Sequence, residues 1–195
     1  MGYDPLPDLR STGALLEGHF ILSSGLHSNR YVQCALYLQH PELAERAGRE
    51  LAFIIKEANP TLEPTVVISP ALGGLIIGHE CGRALGVRAV FAERAEGVMT
   101  LRRGFSLSRD DRVVVVEDVV TTGKSTGEVV EVVRGAGVKP VALACVVDRR
   151  GADAPPMPVP LVSLTRLEIE VWKPGVCPLC ADGVPAEKPG SRTPR

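Results

Sequence analysis

Val113 to Val116 is a run of four valines with no polar position among them. A strand with one wet face alternates apolar and polar side chains, so a run without alternation belongs where both faces are covered. That is the situation of a central strand in a parallel sheet with helices on either side. The flanking sequence agrees. Thr65 to Ser69, Val87 to Ala92, Val141 to Val147 and Leu161 to Leu164 are further short apolar or β-branched runs, the last of them read as the final strand. Helical patterns lie between them. Leu43, Ala47, Leu51, Ile54 and Ile55 recur at helical spacing from Pro41 to Ala58, with Pro41 suited to the first turn and Asn59-Pro60 as the stop. A second helix is expected up to Leu85, ended by Gly86, and a third from Lys124 to Ala136 with Val129, Val132 and Val133 on one face. Strands alternating with helices predict an α/β fold with a mostly parallel central sheet flanked by helices.

Such a sheet binds ligands beyond the C-terminal ends of its strands. Three polar loops follow strands here: Ser69 to Gly74, Glu93 to Gly104, and Glu117 to Ser125. The core occupies residues 41–170, with a polar, glycine-containing region at 1–40 before it. A tail at 171–195 follows. Nine of the 16 prolines fall between Pro155 and Pro194, so this last part reads as a wrap without regular elements.

Composition excludes some classes. A net charge of −1 argues against a dedicated nucleic-acid binder. No apolar run is long enough to span a bilayer, and the first residues lack the basic and apolar regions of a leader. A cytoplasmic protein with five reduced cysteines is expected.

The chemistry sits at the end of the valine strand, in Glu117-Asp118-Val119-Val120-Thr121-Thr122-Gly123-Lys124-Ser125. Unpaired N–H groups at a helix N-terminus make an anion site, and Thr121, Thr122, Ser125 and Thr126 add hydroxyls. Gly123 allows close approach of the backbone. Carboxylates would repel a phosphate, so Glu117 and Asp118 suit a sugar diol instead. Acids beside a phosphate cradle point to a phosphorylated ribose. Gly123-Lys124-Ser125 also matches the end of a P-loop, but the first glycine of that motif would fall on Asp118. An ordinary capped turn explains Ser125 or Thr126 but not two acids after a buried strand.

The segment resembles the phosphoribosyl pyrophosphate (PRPP) signature of type I phosphoribosyltransferases. The resemblance implies that Glu117 and Asp118 hold the ribose hydroxyls and that residues Thr121 to Ser125 hold the 5-phosphate. The run Phe20-Ile-Leu22-Ser-Ser24-Gly25-Leu-His-Ser28-Asn-Arg-Tyr31 resembles the F-x-L-x-S-G-x-x-S-x-x-Y segment of orotate phosphoribosyltransferases. There it forms a hood over the base, which places Tyr31 beside the pyrimidine. Read without the resemblance, it is a hairpin with Phe20 and Leu22 in the core. Asp148-Arg149-Arg150-Gly151 is similar to the family's D-R-x-x-G stretch, and the planar fork of Arg149 suits the carboxylate of orotate, with Thr121 nearby. The competing reading is a surface ion pair between Asp148 and Arg149.

The resemblance implies an enzyme that transfers the phosphoribosyl group of PRPP to orotate, with Mg²⁺ as cofactor, in pyrimidine biosynthesis. Backbone N–H groups of Ala71, Leu72, Gly73 and Gly74 are expected to hold pyrophosphate. Arg94, Arg102 and Arg103 stand in a loop where many members carry lysines and a histidine, and are the catalytic candidates for the leaving group. That loop is expected to close over the site and to reach a second subunit of a homodimer. Salvage of another base and a non-catalytic PRPP-sensing role are the alternatives. A sensor needs a basic face or a helix-turn-helix, and neither is seen.

Cys177-Pro-Leu-Cys180 has the shape of half a zinc knuckle. Cys34, Cys81 and Cys145 are scattered and read as small buried hydrophobes. With no second pair in view, a turn carrying two free or bridged thiols is the expectation.

Overall fold

A computed structural model describes residues 2–22, 24–151 and 154–189. In chain order its elements are α1 (Leu6–Ser11), β1 (Leu15–Ile21), β2 (His27–Val32), α2 (Cys34–Leu38), α3 (Pro41–Ala58), β3 (Val66–Pro70) and α4 (Gly74–Leu85). There follow β4 (Arg88–Ala95), β5 (Val98–Leu101), β6 (Val113–Val120), α5 (Lys124–Gly135), β7 (Pro140–Asp148), β8 (Leu161–Arg166), β9 (Val171–Trp172), a 3₁₀ turn (Pro174–Val176) and α6 (Pro178–Ala181).

Six strands form the central sheet in the order β5-β4-β3-β6-β7-β8. All its pairings are parallel except β4 with β5. The predicted α/β architecture is therefore present, with β6 inside the sheet. Its valines divide between the two faces. Val114 and Val116 pack with Leu51 and Ile55 of α3 and Ile77 of α4. Val113 and Val115 pack with Val129, Val130 and Val133 of α5. Covered faces explain the missing alternation.

Pro41–Ala58 is helical over the predicted span, and Gly86 ends α4 with φ 71° in the left-handed region. Three expectations need correction. The strand read as ending at the acids continues through them to Val120, because Val119 and Val120 still pair with Val147 and Asp148 of β7. The stretch from Glu93 to Gly104 is not an unpatterned loop. Most of it is a hairpin in which Ala95 pairs with Val98 across a two-residue turn, Glu96 and Gly97, both at positive φ (52° and 86°). Two such residues make the turn whose twist matches antiparallel strands. Arginine-rich composition masked this signal.

The last part of the chain also carries regular structure. β9 follows β8 and pairs with β2, giving a three-stranded hood sheet in the order β1-β2-β9. Beyond it the chain turns through α6, and Glu187 exchanges backbone bonds with the first strand: its N–H donates to the His19 carbonyl at 2.8 Å and its carbonyl accepts from the Ile21 N–H at 2.7 Å. These pairings join residues about 145 to 170 positions apart, beyond the reach of local pattern.

Candidate active site

A cavity of about 560 Å³ lies between the hood and the C-terminal ends of the central strands. From the hood come Ile21, Leu22, Leu26 and Tyr31. The core supplies Asp118, Val119, Thr121, Thr122 and Arg149, and the returning chain contributes Val171 and Lys188. The sheet's topology places the cavity. β6 and β7 are adjacent and parallel, so the loop after each opens at the same edge.

Glu117 and Asp118 are successive strand residues and so leave opposite faces. Glu117 is buried. Burial, and then the neighbouring Asp118 charge, push its carboxyl up to about 10. Burial also raises Asp118. The Asp118 N–H donates to Glu117 Oε1 at 3.3 Å, and Asp118 Oδ1 accepts from the Val119 N–H at 2.8 Å. The two acids therefore share one desolvated corner of the strand end, where burial disfavours their charged forms. Gly73 sits directly against this acid. A Cβ there would lie 2.7 Å from Asp118 Oδ2, which explains the glycine at this point of the Pro70 to Gly74 turn. Leu72, beside it, is exposed, and the Ala71 N–H donates to the Ala92 carbonyl at 2.7 Å.

After β6 the chain turns through Thr121 and Thr122 to Gly123, whose φ is 76°. A Cβ on Gly123 would also meet Met157 Sδ at 2.9 Å. Helix α5 begins at Lys124, so the N–H groups of its first turn have no acceptor within the helix. Thr121, Thr122, Lys124 and Ser125 are exposed at this opening, while Thr126 is buried beneath it.

Arg149 and Arg150 divide the work expected of one residue. Asp148 accepts Arg150 Nε on Oδ1 at 3.0 Å and Arg150 Nη2 on Oδ2 at 2.8 Å. Burial works to raise the Asp148 pKa, but these bonds outweigh it and leave it lowered. The ion pair weighed for Arg149 is thus made by Arg150. Arg149 lines the cavity with a buried Nε that has no hydrogen-bond partner among the described residues, and burial lowers its pKa.

The three loop arginines do not line this cavity. Arg94 reaches across to Glu128 of α5 and donates through Nη1 to the Gly97 carbonyl at 3.0 Å. Arg103 forks onto Glu93, with Nε to Oε1 at 2.9 Å and Nη2 to Oε2 at 3.1 Å. Arg102 lies 3.8 Å from the same carboxylate. Hydrogen bonding from Arg103 lowers the Glu93 pKa. The structure therefore gathers Tyr31, Asp118, Val119, Thr121, Thr122 and Arg149, and leaves Arg94, Arg102 and Arg103 on the hairpin. Lys188 and Val171 are lining residues that sequence reading missed, because nothing local ties the tail to the hood.

Residues 36–178 match the family profile described as the phosphoribosyl transferase domain. The chain is 50% identical over 194 residues to the orotate phosphoribosyltransferase of Heliobacterium modesticaldum, covering 99% of this chain and 100% of that one. The chain belongs to the phosphoribosyltransferase family. Within it, the orotate phosphoribosyltransferase of Carboxydothermus hydrogenoformans is 53% identical over 179 residues, 92% of each chain. The crystal structure of the Aeropyrum pernix orotate phosphoribosyltransferase superposes with a TM-score of 0.66 at 30% identity, over 84% of this chain and 93% of that one. In this chain Asp118, Thr121, Thr122 and the hood residues Ile21, Leu22 and Tyr31 share one cavity.

Proposed function

We propose that this phosphoribosyltransferase transfers the 5-phosphoribosyl group of PRPP to orotate, giving orotidine 5′-monophosphate and pyrophosphate on the route to UMP. One observation carries the choice of base. Arg149 presents a desolvated guanidinium, unpaired at Nε among the described residues, in the same cavity as Asp118 and Thr121. A partly buried cation with no counter-ion among the described residues favours an anionic ligand, and the planar fork fits a carboxylate. A base with no carboxylate leaves that cost unrelieved. The sequence relatives agree in kind.

In this reading Glu117 and Asp118 take the ribose hydroxyls. Residues Val119 to Ser125 cradle the 5-phosphate, with the threonine and serine hydroxyls and the backbone N–H groups as donors. Pyrophosphate falls to the N–H groups of the turn from Leu72 to Gly74, since the Ala71 N–H, expected to join them, is bonded to the Ala92 carbonyl, and Tyr31 lies along the ring of the base. The C1–O bond of PRPP breaks as a ring nitrogen of orotate bonds to C1. The residues' task is to hold both partners in line and to meet the charge growing on pyrophosphate. The two acids suit Mg²⁺, a hard cation that takes oxygen ligands, and such a cation would offset the burial that raises both carboxyls. When bound, Mg²⁺ would neutralise charge on the leaving group.

Arg94, Arg102 and Arg103 are the proposed donors to pyrophosphate, acting in a homodimer from the hairpin of a second copy. That none of the three lines its own chain's cavity supports that arrangement. Substrates that are soluble anions, and five free cysteines, support a cytoplasmic setting.

The test is orotate consumption, followed by absorbance with PRPP and Mg²⁺, beside parallel reactions with uracil, adenine, hypoxanthine and xanthine. Orotate alone should turn over. Arg149→Ala should raise the KM for orotate by roughly ten- to a hundredfold while leaving PRPP binding intact. Turnover of a base without a carboxylate, or an unchanged KM, would reject the assignment of Arg149.

A further inference from the structure

We propose that His19, His27, Cys177 and Cys180 form a structural zinc site that clasps the C-terminal segment to the hood. One ligating atom from each of the four lies within 4.8 Å of every other. His19 Nε2 is 2.7 Å from His27 Nδ1 and 3.5 Å from Cys177 Sγ. Cys180 Sγ is 3.2 Å from His27 Nδ1 and 3.8 Å from His19 Nε2. In a tetrahedral zinc site, bond lengths of about 2.0 Å to nitrogen and 2.3 Å to sulfur put ligand atoms about 3.3 to 3.8 Å apart. The two nitrogens need to part by about 0.6 Å to reach that geometry, and the nitrogen–sulfur distances already span it.

The surroundings suit a metal better than four idle side chains. His19, His27 and Cys177 are buried. His19 Nδ1 lies 2.7 Å from the Val184 carbonyl, which can only accept, so the proton is on Nδ1 and Nε2 turns a lone pair toward the cluster. Fixing the tautomer through the far nitrogen is what carbonyls do behind metal-bound histidines. Two sulfurs and two nitrogens with no carboxylate select zinc among common ions, and four protein ligands make a closed, structural site. With both thiols deprotonated the site is neutral, the two protons leaving to solvent as zinc enters. Exposed Cys180 gives the ion a way in.

The fold explains how the set assembles. A bulge between Glu17 and Phe20 interrupts the pairing of β1 with β2 and buries His19 and Phe20 in succession. His27 opposes Ile21 on one side and Trp172 of β9 on the other. The chain therefore leaves β9 beside His27, and Cys177 follows five residues after Trp172. Cys180 lies on the short helix α6, three residues beyond Cys177. None of the four lines the substrate cavity, but Leu22, Lys188 and Val171 do, so the clasp would fix one wall of that cavity from outside.

The experiment is metal analysis of the full-length protein purified from zinc-replete medium. One zinc per chain is expected. Replacement by Co²⁺ should give the visible bands of tetrahedral cobalt together with thiolate-to-metal absorption. Cys180→Ser, a change at an exposed position, should lose zinc and make the segment after Trp172 susceptible to protease. His79→Ala, at an exposed histidine outside the cluster, should keep the full zinc content. Folded wild-type protein with far less than one zinc per chain, a Cys177–Cys180 disulfide in its place, or a Cys180→Ser protein with undiminished zinc would each overturn the proposal.

Discussion

In the central sheet, Val66 to Ile68, Val113 to Val116 and Leu143 to Val147 are essentially without solvent exposure, and nearly every buried group is aliphatic. In the hood, the buried residues of β1 and β2 include His19, His27 and Ser28, and the Ser28 hydroxyl donates to the Glu170 carbonyl at 3.0 Å or the Arg30 carbonyl at 2.9 Å. The core is held by burial of surface spread over dozens of side chains. The hood sheet is small, and directional polar contacts to a distant part of the chain supplement its packing. Burial tolerates variation and acts from any direction, whereas a polar clasp depends on each member. The cavity lies where the two meet, with PRPP chemistry proposed for the core side and recognition of the base shared with the hood.

That division can be broken in several places. The largest effect is expected at Asp118. Asp118→Asn should cut turnover by roughly a thousandfold with any base, in protein whose circular dichroism is unchanged. Near wild-type turnover would remove the sugar-binding role from the core acids. Arg103→Ala should lower kcat about a hundredfold, the usual cost of one donor at a developing anion, with a smaller change in the KM for orotate. If the hairpin serves a second copy, a random mixture of refolded Arg103→Ala and Asp118→Asn chains should regain about a quarter of wild-type activity, because half the dimers then hold one intact site of two. No recovery on mixing would place the arginines in their own subunit's site.

Leu51→Ala sharpens the comparison from the core side. Leu51 is fully buried among α3 and sheet residues. Its truncation should cost about 3 kcal/mol in denaturant unfolding while leaving both KM values in place. A selective rise in the orotate KM would show that core and hood are not separable.

The last prediction concerns pH. Glu117 has its folded-state pKa raised from 4.5 to about 10, chiefly by burial. The folded protein therefore holds this proton more tightly than the unfolded chain. The resulting stabilisation is complete below the unfolded value and is lost as pH rises through the folded one. Glu117→Gln removes the dependence, so its Tm should exceed that of the wild type by a margin that grows from about pH 5 to about pH 9. A margin that shrinks over this range would contradict the burial argument.

Much of the molecule is legible in local pattern. The span of α3, the end of α4 at Gly86 and the course of β3, β6 and β7 follow from period, caps and apolar runs, since each is decided by residues within one or two turns of each other. The acidic pair and the Thr-Thr-Gly turn are legible for the same reason, as one strand–turn–helix of consecutive residues. Even there, the sequence signal was incomplete. Glu96-Gly97 is a less familiar turn pair than Asn-Gly, so the β4–β5 hairpin was hidden. Asp148-Arg149-Arg150 offered two arginines for one carboxylate, and only packing shows that Arg150 takes it and Arg149 is left to the cavity.

By itself, then, the sequence determined the α/β core, the strand–turn–helix with its acidic pair and the class of chemistry, because these rest on short-range periodicity and on contiguous motifs. Tertiary structure alone decided that β9 completes the hood, that Lys188 reaches the cavity, and that two histidines from one end of the chain meet two cysteines from the other. Those contacts join residues about 145 to 170 positions apart. No local energy term links such residues, and only the closed fold brings them within hydrogen-bonding distance.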